Sequence, residues 1–154
     1  MIGFNHLGSL GRLGNQMFEF AALYGIATKH NYNWSIPPRS HKGIENYSLF
    51  EAFSIDGVSE KFIETETLVG EKHFHFDKDL FDECPDNASL WGFFQSEKYF
   101  KHVENDVRKI YKFRDEFLEP CQNMINQIDG EPIMLHVRRG DPNLTDPRGF
   151  KWAY

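Results

Sequence analysis

The sequence has little cysteine and no long apolar run. Its two cysteines, Cys84 and Cys121, form no C-x-x-C pair, which excludes a disulfide framework, and we expect both thiols to be reduced and buried. No apolar stretch is long enough to predict a membrane-spanning helix. The first residues lack the basic and apolar regions of a signal peptide, and we therefore expect a cytoplasmic protein.

A surplus of basic residues is also absent. The chain has 17 lysines and arginines against 23 aspartates and glutamates, so its net charge is −6. Proteins that bind nucleic acid or anionic membranes usually present a basic stripe, and we expect neither partner here. This charge is still compatible with one small anion pocket. The length of 154 residues is typical of about one domain.

Residues 1–36 have the pattern of a strand–helix–strand unit. Residues 1–4 are apolar and predict a strand, and the glycine-rich residues 5–14 predict a loop. Residues 15–30 predict a helix whose apolar side chains surround its axis, which is typical of a buried helix. Residues 32–36 alternate before two prolines and predict a second strand. This order predicts an α/β fold in which a mostly parallel sheet is flanked by helices.

The rest of the chain has weaker patterns. Residues 47–53 predict a helical turn, residues 73–77 a strand, and residues 89–111 a strand that leads into a helix. A further helix with an internal proline is predicted over residues 117–128, and a last strand over residues 132–137.

The segment GRLGNQM, residues 11–17, could form an anion site. A glycine-rich turn that leads into a helix directs free backbone N–H groups at one point, where the helix dipole adds partial positive charge. Gly14 belongs to this turn as a candidate binding residue, and the side-chain amides of Asn15 and Gln16 could complete the pocket. The alternative is that the glycines only permit a tight turn and that Asn15 caps the helix.

The segment HVRRGD, residues 136–141, follows the last predicted strand. Ligands of parallel sheets bind beyond the carboxyl ends of the strands, so at least one of Arg138 and Arg139 should reach such a crevice. A guanidinium group pairs with two oxygens at once, which suits a diphosphate. His136 would share a strand face with Arg138, and Asp141 could orient an arginine or accept a hydroxyl proton. The alternative is a surface Arg–Asp pair worth under about 1 kcal/mol.

His73 and His75 could both lie on one side of a strand as metal ligands. No third ligand is evident in the sequence, so surface histidines with ordinary partners are favoured and no metal site is predicted.

Three segments together resemble a known family. GRLGNQMFEFAALYGIA, GFFQSEKYF and LHVRRGD occur in the order seen in glycosyltransferase family 11, the α-1,2-fucosyltransferases. The resemblance implies a GT-B enzyme of two Rossmann-like domains. It implies transfer of L-fucose from GDP-fucose to the 2-hydroxyl of a galactose unit, with inversion and without a metal or other cofactor. Pro142 departs from the tyrosine that commonly follows R-G-D in this family.

The resemblance also implies roles for the residues of two motifs. Arg138 would contact the donor diphosphate, and His136 and Arg139 would line the same nucleotide pocket. Asp141 is a candidate for the base only by its position. In the N-terminal loop, the segment Gly14, Asn15 and Gln16 would face the diphosphate or the acceptor.

Family members are longer than this chain, and the segment DGEP at residues 129–132 is the sharpest candidate boundary. The resemblance therefore implies an acceptor-side α/β domain over residues 1–130 and the truncated start of the nucleotide-sugar domain over residues 131–154. A separate chain could supply the missing domain. The alternatives to an active enzyme are a non-catalytic glycan- or nucleotide-binding module and an inactive remnant.

Overall fold

The computed structural model describes residues 1–40 and 47–136. The chain forms two compact units, Met1–Leu118 and Glu119–Tyr154. The predicted domain boundary at residue 130 stays a prediction.

The first unit contains a sheet of four parallel strands. The strands are β1 (Ile2–Gly3), β2 (Trp34–Ser35), β3 (Leu68–Gly70) and β4 (Ser89–Trp91), and their order in the sheet is β2-β1-β4-β3. The pairs β1–β2, β1–β4 and β3–β4 all run parallel. The predicted α/β fold with a mostly parallel sheet is therefore confirmed, and so is the strand–helix–strand unit at the start of the chain.

Helix α1 (Leu13–His30) connects β1 to β2 and is the main packing element of the unit. Its apolar residues surround the axis, and Phe20, Leu23 and Ile26 are almost completely buried, as the sequence predicted. Gly25 allows the closest approach in this helix, because a Cβ atom there would lie 2.2 Å from the backbone oxygen of Tyr99. The helix ends at Asn31, which adopts the left-handed conformation with φ of 56°.

The remaining helices are short. They are α2 (Ser48–Ala52), α3 (Lys78–Glu83), α4 (Glu104–Ile110) and α5 (Asp115–Ile125), with two 3-10 turns, Glu97–Tyr99 and Lys101–Val103, before α4. Helix α5 contains Pro120, in agreement with the prediction of an internal proline. Helix α2 confirms the predicted helical turn.

Two predicted strands are wrong. Residues 73–77 alternate in sequence but form bends that lead to α3, and Asp77 caps that helix by accepting a hydrogen bond from the Leu80 amide at 3.0 Å. The third strand is Leu68–Gly70 instead. Residues 132–136, the part of the last predicted strand that the structure describes, form no strand, and Ile133 is 95% exposed.

Both cysteines are free thiols, but only Cys84 is buried, so the expectation of a buried Cys121 is wrong. Burial raises the pKa of the Cys84 thiol to about 11. Within the described ranges, each helix is too short or too polar to cross a bilayer.

Candidate functional site

Two of the sequence motifs meet at the carboxyl edge of the sheet. Strands β1 and β4 are parallel neighbours, so the loops that follow them leave from the same edge. The loop after β1 leads to Asn15 in the first turn of α1, and the loop after β4 carries Gln95. The Gln95 side-chain amide donates a hydrogen bond of 2.7 Å to Oδ1 of Asn15. This bond links GRLGNQM to GFFQSEKYF across 80 residues of sequence.

The turn before α1 depends on Gly11. Its φ is 61°, and a Cβ atom there would lie 2.2 Å from Nδ2 of Asn15. Glycine at this position therefore lets the Asn15 side chain lie against the turn while its oxygen accepts from Gln95.

Among the described residues, the start of α1 carries no side-chain cap and has open space at Gly14. Arg12 is the N-cap residue, and no side chain in the described part of the chain caps the helix. Asn15 therefore does not cap α1, which was the alternative reading of its position. Gly14 is exposed, and a Cβ atom there would have no neighbour within 4 Å. An uncapped helix start with open space above it keeps the geometry of an anion site.

Gln16 lies inside the protein rather than at this edge. Its side chain is completely buried, and its Oε1 accepts a hydrogen bond of 3.1 Å from the backbone amide of Leu49. The bond fixes α2 against α1. The predicted contact of Gln16 with a ligand stays a prediction, and the structure gives this side chain a structural role.

Glu71 organises the loop after β4, a role that the sequence alone did not indicate. It follows β3 directly, and its Oε2 accepts hydrogen bonds from the backbone amides of Phe93 at 2.9 Å and Phe94 at 2.7 Å. Phe94 has φ of 49°, a left-handed conformation that these bonds help to hold. The loop that presents Gln95 is therefore anchored by a carboxylate from the neighbouring strand. No local pattern marks Glu71, because its role depends on the strand order.

Glu19 is a buried acid one turn after Asn15 on α1. It has no exposed surface, and neither of its carboxyl oxygens has a hydrogen-bond partner among the described residues. Burial, with the charge of Glu71 as a smaller cause, raises the pKa of Glu19 to about 8. Burial also raises the pKa of Glu71 above its usual range, although the amides of Phe94 and Phe93 oppose that effect. Glu19 is therefore mostly protonated at neutral pH.

The residues of the HVRRGD segment are only partly described. Arg138, Arg139 and Asp141 lie outside the described residues. His136 is described and exposed in the second unit. The predicted roles of these four residues stay predictions.

The two histidines of the possible metal site contact each other. The rings of His73 and His75 stack with centroids 4.2 Å apart, and Nδ1 of His73 lies 2.9 Å from the backbone oxygen of His75. The described residues contain no group of three or more His, Cys, Asp or Glu side chains that could hold a metal ion.

Comparison with known proteins identifies the family to which these motifs belong. The sequence model of Glycosyl transferase family 11 matches residues 1–149. The chain belongs to glycosyltransferase family 11. It is 25% identical to the "Galactoside alpha-(1,2)-fucosyltransferase 2" of Pongo pygmaeus, over 94% of this chain and 43% of that protein. It is 30% identical to the "Galactoside 2-alpha-L-fucosyltransferase" of Caenorhabditis elegans, over 85% of this chain and 36% of that protein.

This chain spans less than half the length of the curated relatives that it matches. No solved structure matches it.

Proposed function

We propose that this family 11 chain is the acceptor-side part of a fucosyltransferase that transfers L-fucose from GDP-fucose to the 2-hydroxyl of a galactoside. The family match over residues 1–149 and the names of the curated relatives support this proposal. The observation that carries it is the 2.7 Å bond between Gln95 and Asn15, because it joins two family motifs at the sheet edge where ligands of parallel sheets bind. We place the parallel sheet in one Rossmann-like half of a GT-B enzyme.

In this proposal, the chemistry depends on charge that develops on the leaving group. Breaking the bond between fucose and GDP leaves negative charge on the β-phosphate oxygen while the fucosyl carbon becomes cationic. A cation held at that oxygen stabilises the transition state more than the ground state, which is the condition for a faster reaction. Arg138 would supply this cation without a metal, and His136 and Arg139 would line the nucleotide pocket.

The open start of α1 would also contact a substrate. The N–H groups near Gly14 and the amide of Asn15 would contact the diphosphate or the acceptor, and inversion follows if the acceptor attacks opposite to GDP. Asp141 is the candidate base for the acceptor proton. A cytoplasmic location and a separate chain that supplies the nucleotide-sugar domain remain predictions.

The test is a turnover assay on the purified chain. GDP-fucose and lactose are added, and both GDP release and the fucosylated trisaccharide are measured. Changing Arg138 to Ala should slow transfer by about 10²–10³-fold, as is typical for loss of a group that stabilises developing charge. Arg114→Ala is the matched control, because Arg114 is an exposed arginine that forms a surface pair with Glu116. Transfer at an unchanged rate in the Arg138 variant would refute its assigned role.

The alternative is a non-catalytic glycan-binding module, which is favoured by a groove beside α1 that Phe18 and Phe100 line. Such a module would show a rise in melting temperature with galactosides but no GDP release. Transfer of fucose by the wild-type chain would exclude it.

A further inference from the structure

A groove of about 390 Å³ lies beside the first half of α1, between that helix and α4. Its volume is within the range of small-molecule sites. The apolar lining comes from Met17, Phe18 and Ala21 on α1 and from Phe100 and Val107 opposite. The Phe18 and Phe100 rings lie 6.0 Å apart at 57°, and both are only half-buried. Part of each ring is therefore available to an apolar surface of a ligand.

The rim of the groove consists of charged side chains whose net charge is zero. Two cations and two anions line it, namely Lys101, Arg108, Glu97 and Glu104. Glu104 pairs with Lys101 and with Arg108 at 2.8 Å each, and Lys101 also lies 3.8 Å from Glu97. The paired charges give no surplus of positive charge for a phosphate or a nucleotide. They favour a neutral ligand.

The rim groups still have capacity for further hydrogen bonds. Arg108 is 74% exposed, Glu97 71% and Lys101 58%, so solvent-facing donors and acceptors alternate along the groove. A sugar hydroxyl both donates and accepts, and a sugar ring adds a face of apolar C–H groups. A groove with aromatic side chains in its lining and alternating donors and acceptors along its rim matches both properties.

The groove begins next to the candidate site. Phe18 lies three residues after Asn15 on the same helix, so the two side chains are neighbours on its surface. Glu97 lies two residues after Gln95, whose amide is bonded to Asn15. A ligand in the groove would therefore extend away from the Asn15–Gln95 pair.

We propose that this groove binds the sugars of a neutral oligosaccharide acceptor that lie beyond the reacting galactose. The proposal rests on the proposed function, because it assumes that the reacting galactose lies near Asn15. The groove would then select longer acceptors over a disaccharide.

The test compares a galactose-terminated neutral tetrasaccharide with lactose. Each is titrated into the full 154-residue chain labelled with ¹⁵N, and amide shifts and dissociation constants are measured. The tetrasaccharide should bind more tightly than lactose and should shift the amides of Phe18, Phe100 and Val107. Arg108→Ala should weaken tetrasaccharide binding about tenfold, the effect of one charge-assisted hydrogen bond, and should leave lactose binding unchanged.

Two further variants sharpen the result. Lys109→Ala is the matched control, since Lys109 is 78% exposed and pairs with Asp106 on the same helix but does not line the groove. It should bind both sugars like the wild type. Phe18→Ala should weaken tetrasaccharide binding because the aromatic surface is lost. Circular dichroism checks that this variant folds.

The outcomes for the groove and for the enzyme are distinguishable. Three results would each refute sugar binding in the groove, whatever the transfer assay gives. They are equal affinity for both sugars, tetrasaccharide shifts confined to other residues, and no binding at millimolar concentration. Tighter tetrasaccharide binding that Arg108→Ala removes supports the groove even if no fucose is transferred, and in that case the enzymatic proposal alone fails.

Discussion

Replacing Glu19 with glutamine should make the protein more stable at neutral pH. Glu19 is completely buried on α1, and its two carboxyl oxygens have no hydrogen-bond partner among the described residues. Burial and the nearby charge of Glu71 raise its pKa from 4.5 to about 8 in the folded protein. Glutamine has nearly the same shape but cannot ionise.

The magnitude follows from proton linkage. Between about pH 4.5 and pH 8 the folded protein holds a proton on Glu19 that the unfolded chain has released. The folded state binds more protons in this window, so the free energy of unfolding falls as the pH rises. Each unit of pKa difference corresponds to about 1.4 kcal/mol. Glu19 therefore lowers the free energy of unfolding by about 3 kcal/mol at pH 7. The decrease reaches its full size only above the pKa that Glu19 has in the folded protein.

The assay is urea denaturation of both proteins at a series of pH values from 5 to 8.5 under reducing conditions. The stability of Glu19→Gln relative to wild type should be smallest near pH 5 and should increase by about 3 kcal/mol towards pH 8. Glu51→Gln is the control, because Glu51 is an exposed glutamate on α2. Taking the difference between each variant and wild type removes the contributions of all other titrating groups.

A difference between Glu19→Gln and wild type that stays constant from pH 5 to pH 8.5 would refute this reasoning. It would mean that Glu19 ionises in the folded protein as easily as in the unfolded chain. A partner for its carboxylate would then have to exist.

Substitutions at four other positions test further contacts of the first unit. Gly25→Ala should lower the free energy of unfolding by about 1–3 kcal/mol or more, since the new Cβ would lie 2.2 Å from the Tyr99 oxygen. Gly14→Ala, in the same helix but with no atom within 4 Å of its Cβ, should instead be neutral or stabilising by up to about 1 kcal/mol, and equal melting temperatures for the two would contradict the packing argument. Glu71→Ala leaves two backbone amides without their acceptor and should cost about 2 kcal/mol or more in urea unfolding, whereas Glu71→Gln, which keeps an acceptor oxygen, should cost less. Gln95→Ala removes an exposed side-chain bond, so stability should change by less than about 1 kcal/mol while galactoside binding weakens, and unchanged binding by calorimetry would exclude Gln95 from the site.

Much of the fold could be predicted because its main helix carries a strong local pattern. The apolar residues of α1 repeat around the whole axis, the glycine-rich loop marks the turn before the helix, and the two prolines follow strand β2. These signals lie within residues 1–38 and depend on no distant partner. The parallel pairing of β1 with β2 then follows from the connection through a helix.

The third strand could not be predicted in this way. Leu68–Gly70 is three residues long, ends in glycine and has an exposed leucine, so it lacks the alternation that marks a half-buried strand. It forms because β4 offers a parallel partner, with Val69 opposite Leu90. Residues 73–77 have the alternation but pair with no strand among the described residues, and the side chain of Asp77 instead favours the start of α3.

In the candidate site too, features set by sequence neighbours could be predicted and contacts between distant residues could not. The position of Asn15 just after a glycine-rich turn was predictable from its neighbours in sequence. Its partner Gln95 was not, because the contact exists only if β4 lies next to β1 in the sheet. Gln16 was expected beside Asn15, but successive residues of a helix point in directions about 100° apart. Gln16 is therefore turned into the core while Asn15 faces the loop after β4.

This arrangement couples the stability of the sheet edge to the geometry of the site. Gln95 can meet Asn15 only while the loop after β4 keeps its shape, and Glu71 holds that loop from β3 through two backbone amides. A change at Glu71 therefore acts on Asn15 through the loop rather than by contact with a ligand. We expect Glu71→Ala to weaken galactoside binding together with stability, whereas Gln95→Ala should separate the two. The comparison of these variants distinguishes a residue that positions the site from one that belongs to it.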